Sequence, residues 1–181
     1  MEIYEPKEDS HLLAKQIKQY LRKVKDKNIK VLDMGSGSGI QAQTCVDSGI
    51  DKKDITTADI NSNAIKHLKK LGFRTKRSNL FDKIDKKYDL ILFNPPYLPE
   101  SKYDKLPDTT AGQKGYETIK EFLEQAKRHL KPQGKILLLI SNLSKPRIIM
   151  RRAKELDYQM IKLDEKSMGF FEKLFIYEFS L

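Results

Sequence analysis

The chain has 181 residues, 39% of them hydrophobic, which fits one packed domain and argues against wholesale disorder. No apolar run approaches the ~18 residues needed to cross a bilayer, and a single cysteine, Cys45, excludes an internal disulfide and fits a reducing cytoplasm. The balance of 35 basic against 25 acidic residues gives a net charge of +10, a field that favours an acidic or nucleic-acid-associated partner, although lysines spread along the chain equally describe a solvated surface.

The opening, Met1-Glu2-Ile3-Tyr4-Glu5, lacks the basic and apolar regions of a signal peptide. Leu12, Leu13, Ile17, Tyr20, Leu21 and Val24 then recur at helical spacing, with Asp9 or Ser10 as the expected cap. Ile29 to Met34 reads as a strand running into a glycine loop, followed by a helix from about Ile40 to Asp47 and a strand from Asp54 to Ile60. Ala64, Ile65, Leu68 and Leu71 form the next helical stripe, stopped by Gly72. Phe73 to Leu80 is a basic segment of strand character, whereas Tyr88 to Phe93 is the nearly continuous apolar run of a central parallel strand. A helix from Tyr116 to Leu130, a turn at Lys131-Pro132-Gln133-Gly134 and a strand from Lys135 to Ile140 come next. A helix beginning near Pro146 and two strands, about Gln159 to Leu163 and Lys173 to Ser180, complete the chain. Strands alternating with helices predict a doubly wound α/β fold in a single domain, residues 1–181, with residues 1–28 leading into the core. Between Phe93 and Tyr116 lie 22 residues with four prolines and no period, too long for an idle loop in a compact domain.

Asp33-Met34-Gly35-Ser36-Gly37-Ser38-Gly39 joins the first strand to a helix. Its small residues let the backbone turn sharply near a ligand, and a helix N-terminus supplies free N–H groups. A dinucleotide loop would carry a third glycine where Ile40 stands, which disfavours a nicotinamide oxidoreductase. The D-x-G-x-G-x-G pattern instead resembles motif I of the class I S-adenosylmethionine (SAM)-dependent methyltransferases. That resemblance implies a Rossmann-like seven-stranded sheet, mostly parallel with an antiparallel last strand, and SAM as cofactor on Gly35, Gly37 and Gly39. SAM carries an ammonium and a sulfonium, so an acidic residue beside the loop, Asp33, is favourable. Asp59 ends the second strand, 20 positions after Gly39, where a carboxylate can accept from both ribose hydroxyls. By resemblance, Asn79 and Leu80 edge the adenine; relatives often have aspartate at the first position, and asparagine keeps the acceptor but not the charge. The alternative is that Asp33 and Asp59 only cap strand ends.

Asn94-Pro95-Pro96-Tyr97 follows the central strand. Alone it could be a proline-stiffened turn. Beside the glycine loop it resembles the N-P-P-Y motif of methyltransferases acting on adenine, some guanines or glutamine amides. All are planar –NH2 groups with a delocalised lone pair. The side-chain oxygen of Asn94 and the carbonyl of Pro95 can accept from the two N–H bonds, Pro96 helps to fix the turn, and Tyr97 can pack on the flat group. The same acceptors stabilise charge developing on nitrogen. SAM brings its own leaving group, so no nucleophilic side chain is expected. The scattered His11, His67 and His129 give no metal site.

Tyr4-Glu5-Pro6-Lys7-Glu8-Asp9-Ser10 resembles the opening of the HemK-family release-factor glutamine methyltransferases, in particular the short archaeal and eukaryotic branch, where the residue at Ser10 contributes to the SAM pocket. Thr110-Ala111-Gly112-Gln113-Lys114-Gly115 resembles the segment closing the loop after N-P-P-Y, with Gly112-Gln113 where relatives commonly have two glycines. Bacterial relatives carry an N-terminal substrate domain, and here 28 residues precede the first predicted strand. The resemblance implies cytoplasmic transfer to the glutamine of the Gly-Gly-Gln motif in the translation termination factor. It also implies a small zinc-binding activator protein pairing at the Phe73–Leu80 edge. An adenine or guanine N-methyltransferase acting on RNA or DNA stays open as a rival, as do a lysine methyltransferase and a non-catalytic SAM-binding module.

Overall fold

The computed structural model describes residues 2–97, 115–169 and 171–181. Seven strands form one sheet in the order β3-β2-β1-β4-β5-β7-β6: β1 (Val31–Met34), β2 (Ile55–Asp59), β3 (Arg74–Arg77), β4 (Tyr88–Phe93), β5 (Leu130–Ser141), β6 (Gln159–Met168) and β7 (Glu172–Ser180). β1 to β5 run parallel and β7 is antiparallel to both its neighbours, as the resemblance implied.

Alternation along the central strands divides the apolar residues between two layers. Leu90, Leu92, Leu137 and Leu139 face α1 (Glu8–Lys23), α2 (Ile40–Asp47) and α3 (Ser62–Lys70). Ile91, Phe93, Ile136 and Leu138 face α4 (Glu117–His129) and α5 (Pro146–Glu155). Covering on both faces explains why β4 and the second half of β5 are apolar at nearly every position. No helix among the described residues is long and apolar enough to cross a membrane.

Four local expectations need correction. Asp9 and Ser10 do not cap α1; the helix starts at Glu8 with Lys7 as its cap residue, so both side chains are free for other partners. Lys131-Pro132-Gln133-Gly134 is a bulge inside β5. Leu130 pairs with Tyr88 and Lys135 with Leu90, and Gln133 takes a left-handed φ of 63° to absorb the excess. β3 is four residues long, shorter than Phe73–Leu80, because Ser78 to Leu80 already turn away beneath the cleft described below. β6 runs past Leu163 to Met168. Its outer half, Asp164-Glu165-Lys166-Ser167, has no apolar alternation and is held by pairing with β7.

Candidate active site

β1, β2 and β4 all end at one cleft, where the strand order reverses between β1 and β4, the place open α/β sheets hold ligands. The cleft encloses about 620 Å³, within the range of small-molecule sites. Ser10, Gly35, Gly37, Asp59, Asn79, Leu80 and the whole Asn94-Pro95-Pro96-Tyr97 turn line it; Asp33 and Gly39 do not.

The glycine loop explains that division. Gly39 takes φ +84° as the cap residue of α2, and a Cβ there would stand 2.8 Å from Leu68 of α3, so it serves the packing of two helices. A Cβ on Gly37 would meet only the Gly35 carbonyl, at 4.0 Å, and otherwise the open cleft. The Asp33 carboxylate is turned under the loop, 1% exposed, and accepts from the N–H of Ala42 at 3.2 Å. Burial pushes its pKa up to about 7, opposed by hydrogen bonds from Ala42 and Ser36 and reinforced by the charge of Asp59.

Asp59 holds the next wall. One carboxylate oxygen accepts from Gly37 N–H and the other from Asn61 N–H, each at 2.8 Å, which locks the glycine loop to the end of β2. Burial raises its pKa, while the backbone N–H groups of Asn61, Gly37 and Ile60 oppose the rise. Asn79 is exposed at the cleft and Leu80, buried at φ 43°, turns the chain beneath it.

At the end of β4, Asn94 meets α1. Its Nδ2 donates to Asp9 Oδ2 at 2.9 Å and approaches Ser10 Oγ at 3.4 Å. Asp9 is 3% exposed and also accepts from the Tyr4 hydroxyl at 3.1 and 3.2 Å. With its Nδ2 the donor in this bond, Asn94 turns its side-chain oxygen the other way. Asn94 Oδ1 is buried and finds no donor among the described residues. A buried acceptor left open is costly, on the order of 1–3 kcal/mol, and marks a place where a donor is expected to arrive. Tyr97 is anchored through its carbonyl, which accepts from Ser144 Oγ at 3.0 Å. Its hydroxyl is held neutral, first by burial and then by the charge of Asp9. The segment Thr110-Ala111-Gly112-Gln113-Lys114 lies outside the described residues, and only its end, Gly115, falls within them.

The sequence offered Asp9 as a cap and as part of the Tyr4–Ser10 stretch, without a role in the site. Gln41, Met168 and Glu172 also line the cleft and carried no signal, because a long-range fold rather than a local motif brings them there.

The sheet order and the glycine cleft are those of the class I SAM-dependent methyltransferases, enzymes that carry a methyl group from SAM to an acceptor. The chain belongs to the methyltransferase small domain family, whose model matches residues 7–162. A Methanocaldococcus jannaschii protein provisionally named a protein N5-glutamine methyltransferase is 32% identical over 97% of this chain and 90% of its own length. The release factor glutamine methyltransferase of Fusobacterium nucleatum is 39% identical over 56% of this chain, which spans 30% of that longer protein. Among solved structures, the E. cuniculi Mtq2–Trm112 complex, responsible for methylation of the eRF1 translation termination factor, superposes with a TM-score of 0.79 at 23% identity, covering 99% of this chain and 98% of the other. The resemblance to the HemK family read from the sequence is borne out.

Proposed function

We propose that this chain, as one methyltransferase domain over residues 1–181, transfers a methyl group to the side-chain amide nitrogen of the glutamine in the Gly-Gly-Gln motif of the translation termination factor. The observation that carries this reading is the open acceptor of Asn94, fixed in direction by Asp9 and meeting no donor among the described residues. A planar –NH2 group supplies the missing donor.

The cleft fits SAM. Gly37 leaves room where any side chain would intrude, Asp59 offers lone pairs beyond its two backbone bonds for ribose hydroxyls, and Asn79 and Leu80, which line the same cleft, would edge the adenine. When bound, SAM supplies a methyl group made electrophilic by its sulfonium. Asn94 Oδ1 accepts from one N–H of the target, the Pro95 carbonyl accepts from the other, and together they aim the nitrogen along the line of attack. Both acceptors face the positive charge that grows on nitrogen. Tyr97, kept neutral, packs on the flat amide. The surplus proton on the methylated nitrogen is strongly acidic and passes to water, so no dedicated base is needed. A lysine acceptor would need one.

A small zinc-binding partner at the Phe73–Leu80 segment belongs to the same reading. β3 forms an edge of the sheet, with Ile60 beside it 52% exposed. Cytoplasmic placement fits Cys45, a buried free thiol.

Labelled SAM incubated with the chain and either termination factor or total RNA tests the proposal. Label enters the protein, and Asn94→Ala lowers turnover roughly 10- to 100-fold while binding of S-adenosylhomocysteine is kept. Label in RNA alone would move the chain to the nucleic-acid reading, and full turnover by the Asn94 variant would remove that residue from catalysis.

A further inference from the structure

Ile40 and Gln41 open α2 directly after the glycine loop, and Gln41 is 4% exposed. Its Nε2 donates to the backbone carbonyl of Ser10 at 2.9 Å. A carbonyl only accepts, so this bond settles which end of the amide is which and turns Oε1 away from Ser10. That oxygen is buried and meets no donor among the described residues. Asn94 Oδ1 is the one other side-chain atom in this condition there, and both residues line the same cleft. Ser10 joins them: its carbonyl holds Gln41 and its hydroxyl lies 3.4 Å from Asn94 Nδ2.

Position identifies the missing donor. On the cofactor reading, the reacting sulfur would lie beside Asn94, and the nucleoside would run from there toward Asp59 and Asn79, which line the cleft after β2 and β3. Gln41 is tied instead to α1, which packs over β5 and β7 on the other side of the switch point. On the same reading, the amino-acid end of SAM would extend in that direction, and its donor is an ammonium. Asp33, the acidic residue expected beside the loop, reaches that charge only across the backbone, because its carboxylate is turned toward Ala42 and does not line the cleft.

We infer that Gln41 is a cofactor-positioning residue whose Oε1 accepts a hydrogen bond from the α-ammonium of SAM. The inference rests on the cofactor reading given above and adds a residue and a selectivity to it. With the amide fixed at Nε2 by Ser10, the acceptor is preorganised, so the site discriminates for the amine and against ligands lacking it.

Isothermal titration of the full chain with S-adenosylhomocysteine and with its deamino analogue, in which hydrogen replaces the ammonium, reads this without any methyl acceptor. The native chain prefers the amine. Gln41→Met binds S-adenosylhomocysteine roughly tenfold or more weakly and the deamino analogue within about twofold of the native chain. Unchanged affinity for both ligands, or equal loss on both, overturns the assignment. Gln41→Leu, smaller than Met and equally without an acceptor, gives the same loss confined to the amine and carries the test if thermal unfolding shows the Met variant misfolded; a native preference for the amine kept in that variant is equally fatal. A native chain that binds neither ligand refutes the cofactor reading itself, a result distinct from any failure of Gln41.

Discussion

Replacing Asp9 by alanine separates orientation from contact at this site. Asp9 is buried; it accepts from Asn94 Nδ2 at 2.9 Å and also from the Tyr4 hydroxyl. Without it, Asn94 Nδ2 keeps only the 3.4 Å approach to Ser10 Oγ, a poor bond, and the amide can rotate its oxygen out of the cleft. A hydrogen bond to a charged partner contributes about 1.5–3 kcal/mol. If most of that is lost as orientation of Oδ1, the barrier rises by about 1.4–2.8 kcal/mol and turnover at saturating SAM falls roughly 10- to 100-fold. Asp9→Asn retains one acceptor oxygen and falls between alanine and the native chain. Steady-state kcat on termination factor is the assay, with S-adenosylhomocysteine affinity as control, expected within a few-fold of native. Alanine at position 9 with kcat within twofold of native would refute the claim that Asp9 sets the direction of Asn94. A rise in KM for SAM with kcat kept would reassign Asp9 to cofactor binding.

Asp59→Ala removes both the proposed ribose acceptor and the clamp on Gly37 and Asn61, so S-adenosylhomocysteine should bind roughly tenfold or more weakly by titration; unaltered affinity would remove Asp59 from the cofactor site. Asp33 has a pH signature. Its folded pKa, about 7, lies above its ordinary value of 3.8. Its contribution is therefore complete below pH ~4 and is lost as pH rises to about 7, by about 4 kcal/mol at most. Asp33→Asn cannot ionise, so in denaturant melts its stability relative to the native chain should climb between pH 4 and 7; a difference that does not change with pH would contradict the burial argument.

The sequence revealed the elements that repeat a physical rule and hid those that depend on distant partners. β4 was visible because burial on both faces demands apolar residues throughout, and α2 because glycines and then helix formers mark its start. The outer half of β6 was hidden because it is polar on both sides and exists only through its ladder with β7. Within the site, Asn94 and Asp59 could be read because strand ends and a local motif announce them. The part played by Asp9 could not, since its contact with Asn94 spans 85 positions in the chain and its local spacing resembles an ordinary cap. Asp33 shows the converse. Its sequence position beside the loop was informative, yet the fold turns the carboxylate under the loop, toward Ala42 and out of the cleft lining.

One measurement bears most directly on the catalytic claim: mass spectrometry of termination factor after incubation with SAM and this chain, with and without a candidate activator protein. The Gly-Gly-Gln peptide should gain the mass of one methylene, and fragmentation should place it on the glutamine side chain. That peptide left unmodified under both conditions, while RNA in the same reaction takes up methyl groups, would contradict the assignment.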